Sequence, residues 1–188
     1  MRLKIGLVVF TTSLLLVVGC DRPPVNRDDT IPLTTAPSVD VQRYLGRWYE
    51  IARLPNQFET DCTRVTATYA LNADKSLSVL NRCHKGVSNG PEDFSKGTAH
   101  IVDAQTNAKL SVTFFWPFSG DYWILAVADD YSWSLVGEPS GRYFWILSRT
   151  PRISDDLTKN LKQRAKALGY KTGALYWTPQ SSNTNATR

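Results

Sequence analysis

The sequence predicts an all-β fold, an eight-stranded antiparallel up-and-down barrel followed by one helix. Three observations carry this. Short segments rich in strand formers recur from Val39 onward, and clusters of Gly, Pro, Asn and Asp fall between them. The apolar spacing then changes once, after Pro151, to that of a helix. A chain of 188 residues allows one domain of ordinary size with extensions.

The first stretch carries Arg2 and Lys4, then an apolar run over residues 5–18, too short for a comfortable membrane span. It reads as a signal peptide over 1–19. Leu16-Val17-Val18-Gly19-Cys20 resembles a bacterial lipobox, whose cysteine becomes the lipidated first residue of the mature chain. Residues 20–38, with Pro23, Pro24, Pro32 and Pro37, read as a lipid-anchored flexible tether; such a coil holds the domain about 25 Å from its anchor. The domain itself is expected over 39–178 and a polar tail over 179–188.

Tyr44-Leu45-Gly46-Arg47-Trp48-Tyr49 is a glycine-hinged turn running into the first strand, since glycine tolerates backbone angles that other residues avoid. Strands are expected over 48–54, 64–70, 76–82, 95–102, 109–115, 122–128, 133–136 and 142–148, separated by breakers such as 86–91, 103–107, 117–120 and 139–141. After Pro151, Ser154 suits a helix cap and Asp155 and Asp156 suit its first turn. Leu157, Leu161, Ala165 and Leu168 fall on one face, and Gly169 ends the helix. Ala174 to Trp177 return as a short added strand.

Loss of Arg2 and Lys4 with the signal leaves 20 basic residues against 17 acidic ones, a net charge of +3. The charges are scattered, so no nucleic-acid partner is expected. If Cys20 carries lipid, Cys62 and Cys83 remain as a pair in an oxidising compartment. A hairpin pairing Ala70 with Lys75 brings Cys62 opposite Cys83, within reach of a disulfide.

Gly46-Arg47-Trp48-Tyr49, Asp130-Tyr131 and Arg149 together, in that order and spacing, resemble the three motifs of the lipocalins. Trp48-Tyr49-Glu50-Ile51-Ala52-Arg53 and Trp145-Ile146-Leu147-Ser148-Arg149-Thr150-Pro151 look like the bacterial lipocalin and apolipoprotein D branch, in its lipoprotein form. Asp129 departs from the pattern, standing where many members have Thr. The resemblance implies a calyx with the helix packed outside it, and Gly46, Trp48 and Arg149 closing its base through a cation–π contact. It implies residence in the outer membrane, although Asp21 after the lipidated cysteine resembles an inner-membrane retention signal.

An eight-stranded barrel has room for one small ligand, so the inward face decides function. By the resemblance, Tyr69 and Trp145 line the pocket. Val65 and Ala67 share a face with Tyr69, and alternation turns Tyr143, Trp145 and Leu147 inward together. Phe114 and Trp116 belong to the aromatic run Phe114-Phe115-Trp116-Pro117-Phe118, whose Trp116 and Phe118 form an apolar lip where an acyl chain enters, or where the barrel meets a membrane or a second subunit as a homodimer. An apolar, aromatic cavity with few charged walls selects fatty acids or lysophospholipids. His84 and His100 lack metal-ligand spacing, and no serine elbow or phosphate loop is present, so neither metal, cofactor nor enzyme activity is expected. The rival readings are a thiol-dependent isomerase, which requires Cys62 or Cys83 to be free, and an envelope interaction module with no required ligand.

Overall fold

The computed structural model describes residues 23–180, so the signal peptide, Cys20, Asp21 and the tail beyond Gln180 lie outside the described residues. A single helical turn, α1 (Val41–Tyr44), leads into β1 (Gly46–Arg53), β2 (Cys62–Leu71), β3 (Leu77–Lys85), β4 (Glu92–Ile101), β5 (Lys109–Phe115), β6 (Phe118–Val127), β7 (Trp133–Gly137) and β8 (Phe144–Ser148). Each strand pairs antiparallel with the next, and β1 pairs with both β8 and β2, which closes the barrel. Helix α2 (Asp155–Ala167) and strand β9 (Tyr176–Trp177) follow, β9 pairing with β1.

All eight expected strands and the helix are present. β4 and β6 start earlier than their composition suggests, at Glu92 and Phe118, because their partners extend the ladders to the rim, where Phe115 opposes Phe118.

Alternation divides the apolar residues into two layers. Trp48, Tyr69, Leu77, Val79, Leu110, Ile124 and Leu147 fill the lower interior. Leu125, Leu135, Phe144 and Ile146 point outward and meet Leu161 and Ala165 of α2 and Tyr170 after it. The helix forms as its sequence dictates. Ser154 Oγ accepts from the Leu157 N–H at 3.2 Å, and Gly169 leaves it at φ +91°, a conformation costly for any residue with a Cβ.

The base is closed around Trp48, which is fully buried. The Arg149 guanidinium lies 3.7 Å from the centre of the indole. It donates to the carbonyls of Arg47 at 2.8 Å, Arg43 at 2.6 Å and Tyr131 at 3.4 Å. Gly46 takes φ +90°, with its Cβ position 3.5 Å from Arg149 Nη1. The Asp129 to Tyr131 turn is held by the Asp130 carboxylate, which accepts from the Ser132 N–H at 2.9 Å, while Asp129 offers Arg43 only its backbone carbonyl. The Thr-to-Asp departure at 129 therefore leaves the turn's side-chain bond intact.

Two expectations need correction. Ala70 pairs with Ser78 rather than Lys75, and a bulge lies between Thr63 and Thr66, so Cys62 stands opposite Lys85. The hairpin loop is longer than expected because Asp74 folds back to accept from Ser76 N–H and Oγ. Cys83 is then diagonal to Cys62, and the Cys62–Cys83 disulfide still forms, with its Cα atoms 5.4 Å apart. The second correction concerns the tether. From Asn26 to Val39 the chain lies along the barrel wall: Asn26 N–H donates to Gly141, Asp28 N–H to Gly169, Ala36 N–H to Ile124 and Val39 N–H to Thr106, all within 3.0 Å. Its polar, proline-rich composition conceals the backbone groups that make these bonds.

The upper part of the β1–β2 seam is completed by the C-terminal segment. The two strands pair directly only from Gly46 to Tyr49. Above that, Thr178 N–H donates to Ile51, Arg64 N–H donates to Pro179, and Gln180 Nε2 bridges the carbonyls of Glu50 and Val65 at 2.7 and 2.9 Å.

Arg149→Lys keeps the charge but cannot serve three carbonyls at once, and it is expected to lower unfolding free energy by about 2 kcal/mol in urea titrations. Reduction of the disulfide is expected to cost about 3 kcal/mol, read as a lower denaturation midpoint with reductant than without.

Candidate functional site

The interior has two halves of different character. In the lower half three tyrosine hydroxyls meet across the barrel: Tyr69 donates to Tyr122 at 2.8 Å, and Tyr122 lies 3.0 Å from Tyr44, whose oxygen is 3.2 Å from Ser134 Oγ. Burial pushes the Tyr44 hydroxyl up to about 12 and raises Tyr69 and Tyr122 as well, with the Tyr44 phenol adding to the effect at both. These groups stay protonated at any physiological pH and form a neutral hydrogen-bonded shelf. Below it a void of about 10 Å³ lies among Val39, Leu77, Ile101, Leu110 and Ile124, the size of a single water.

Above the shelf the wall is apolar and partly open. Ala67, Val112, Phe114 and Trp145 pack on the core cluster yet remain half-buried. Phe114 lies across the bare backbone of Gly97, where a Cβ would stand 2.8 Å from the ring. Asn81, turned inward by the alternation of β3, has a buried Oδ1 with no hydrogen-bond partner among the described residues.

The mouth carries charge that the sequence reading does not foresee. A bulge between Glu50 and Ala52 places Glu50 opposite Leu147 and Arg53 opposite Trp145, so both side chains share the inner face. Strict alternation would turn Ala52 and Leu54 inward; both instead join the layer under α2. Arg53 Nη1 is 2.7 Å from Glu50 Oε1, and its Nε is 3.5 Å from Glu59 Oε2. Thr178 Oγ1 donates to the same Glu50 oxygen. Glu59, on the short 3-10 turn Gln57–Glu59, also accepts from the Trp145 indole N–H at 3.1 Å. Burial first, and then the Glu59 carboxylate, raise Glu50 well above the usual carboxylate range, with Arg53 opposing them. One guanidinium thus serves two carboxylates at the edge of an apolar wall.

The expected site residues fall in different places. Tyr69 is in the shelf, and Ala67, Phe114 and Trp145 are on the wall. Tyr143 stacks on Trp145 with centroids 6.0 Å apart and on Phe58 at 5.6 Å, bridging the wall and the rim turn. Val65 packs against the Cys62–Cys83 disulfide. Trp116 is not on the wall: at 89% exposure it stands on the β5–β6 hairpin as part of the lip. Tyr44, Tyr122, Asn81, Glu50, Arg53 and Glu59 complete the site. Of these, Glu50 was legible, since alternation from Trp48 turns it inward and an inward Glu requires a partner; Arg53 needed the bulge.

Both sulfurs near the mouth are in the disulfide, so the thiol route to isomerase chemistry lacks its nucleophile. Among the described residues no group of three metal-ligating side chains gathers.

A closed eight-stranded up-and-down barrel with a sealed base, a half-buried apolar upper wall and an ion-pair cluster at its upper end defines the class of the fold. The lipocalin-like domain family matches residues 39–180, and the chain belongs to the lipocalins. The outer membrane lipoprotein Blc of Escherichia coli (strain K12) is 39% identical over 180 residues, covering 96% of this chain and 98% of that one. Temperature-induced lipocalin-1 of Arabidopsis thaliana is 41% identical over 152 residues, covering 76% of this chain and 80% of its own. Insecticyanin from the tobacco hornworm Manduca sexta superposes with a TM-score of 0.65 at 22% identity, covering 80% of this chain and 85% of that one, which shows the shared fold.

Because Glu50 binds its proton more tightly in the native state than in the unfolded chain, its contribution to stability is fullest below the ordinary carboxylate value and drains away as pH rises through its raised native value. Arg53→Met leaves the carboxylates uncompensated and should destabilise by about 3 kcal/mol at neutral pH. The loss should shrink in acid, where Glu50 is neutral, as read from melting temperatures at the two pH values.

Proposed function

We propose that this protein is a lipid-anchored lipocalin of the bacterial cell envelope that binds and stores or carries a fatty acid or lysophospholipid. The observation that carries the reading is the division of the chamber: a half-buried apolar wall of Ala67, Val112, Phe114 and Trp145 above a neutral floor, with Glu50, Arg53 and Glu59 at the entrance. Such a chamber takes an amphiphile tail first. The wall removes hydrocarbon from water, which contributes about 25 cal/mol per Å², and the headgroup remains among the charges. Asn81 Oδ1 adds an acceptor awaiting a donor from the ligand or a water.

The lipobox-like Leu16 to Cys20 and the name of the Escherichia coli relative, outer membrane lipoprotein Blc, support residence at the outer membrane through a lipidated Cys20. Removal of the signal over 1–19 is part of this reading. The Cys62–Cys83 bridge fits an oxidising compartment.

Long-chain fatty acids and lysophospholipids should change the tryptophan emission of the purified protein, since Trp145 lines the wall. Trp145→Ala should weaken binding by about tenfold, which corresponds to about 1.4 kcal/mol. An unchanged emission with every long-chain lipid, alongside binding of a polar compound, would refute the proposal. A titration of the unfolded chain should find no reactive thiol at Cys62 or Cys83 without reductant.

A further inference from the structure

We propose that the barrel stands mouth-down, its aromatic rim inserted into the phospholipid bilayer that carries the anchor, so that the chamber opens onto lipid. This rests on the lipidated Cys20 of the preceding section.

The first argument is where the leash begins. Asn26 N–H donates to Gly141 at 3.0 Å, and Lys171 N–H donates to Asn26 at 2.8 Å. Arg27 is buried beside them, its Nε donating to the Leu168 carbonyl at 2.8 Å. The approach is close: a Cβ on Gly141 would fall 2.4 Å from Arg27 Cβ. Gly141 belongs to the connection between β7 and β8, at the open end. From there the chain runs down the wall to Val39 near the base. The segment that links Asn26 back to Cys20 therefore departs from the mouth. Fully extended, those few residues reach at most about 20 Å. A barrel strand of the length of β2 or β6 runs about 33 Å before tilt, so the leash is shorter than the barrel is tall.

The second argument is what the mouth presents. Phe58, Phe94, Phe115, Trp116 and Phe118 are exposed there, on the turn after β1, on β4 and on the β5–β6 hairpin. Three separate elements thus contribute to one ring. At the opposite end, exposed large apolar residues among the described residues are Leu71 and Val102 alone. Exposed large apolar residues gathered at one end mark an interaction surface, and Trp is a residue of membrane interfaces. Four of the charges near them are paired, Arg82 with Glu92 and Lys85 with Asp93, which lowers the cost of bringing those groups toward hydrocarbon. A leash this short holds the rim at high effective concentration beside the bilayer, so modest insertion by each ring suffices.

The test uses the full lipidated chain in vesicles of phosphatidylethanolamine and phosphatidylglycerol in about a 3:1 ratio, whose anionic fraction attracts a mildly positive chain. The mass of the Cys20 peptide reports lipidation. Lipids brominated along the acyl chain should quench tryptophan emission, and Trp116→Phe, an exposed change that keeps the fold, should remove more than half of that quenching. Hydroxyl-radical labelling should fall several-fold at Phe94 and Phe115 on vesicles and stay unchanged at Leu71 and Val102. A lipidated, lipid-binding protein whose rim labels as fast on vesicles as in solution overturns the orientation while leaving the proposed function standing. Rim protection that persists without vesicles and disappears on dilution assigns the rim to a second copy of the chain and equally overturns it. A Cys20 peptide without acyl mass removes the leash and refutes both readings.

Discussion

The architecture depends on one stacked cation. Arg149 lies on the Trp48 indole and ties three separate backbone carbonyls, those of Arg43, Arg47 and Tyr131, to one planar group. It therefore joins α1, the start of β1, the β6–β7 turn and the end of β8 at a single point. A lysine has the charge but not the fork, and a neutral residue would leave the three carbonyls without this shared donor and the indole face without its cation. Trp48 in turn donates its indole N–H to Tyr44 at 2.8 Å, and Tyr44 reaches into the hydroxyl shelf. The seal at the base and the floor of the chamber are thus one connected structure.

That continuity determines how the interior of the barrel is divided. The shelf of Tyr44, Tyr69 and Tyr122 occupies the lower half with neutral, mutually satisfied groups, and leaves the half-buried wall above it accessible from the mouth. The charged cluster sits where the bulge in β1 brings Glu50 and Arg53 to the same face. A buried ion pair of this kind adds little net stability, yet removing one member strands the other. What it does is give an otherwise apolar upper wall a polar end.

Much of this was legible before any coordinates. The eight strands follow from turn residues at short intervals, and the helix from one change of period; Ser154, Leu161 and Ala165 take the roles their spacing implies. Trp48 and Arg149 meet as the motif resemblance implies. What escaped depends on single-residue irregularities and on backbone contacts. The β1 bulge changes which of Ala52 and Arg53 faces inward, and composition carries no sign of it. The β2 bulge and the longer Asn72–Ser76 loop shift the hairpin register, so the Cys62–Cys83 bridge forms diagonally. Residues 26–39 resemble a linker in composition because their attachment uses main-chain groups and the buried Arg27, Ala36 and Val39, which no periodicity marks.

The seam between β1 and β2 is filled at its upper end by Thr178, Pro179 and Gln180, residues that come after all eight barrel strands in the chain. Without them, main-chain groups of Glu50, Ile51, Arg64 and Val65 lose their partners, each bond contributing about 1 kcal/mol. The upper seam therefore latches only once the chain has passed through α2 and returned along β1, so the last step of closure is made by residues outside the eight strands.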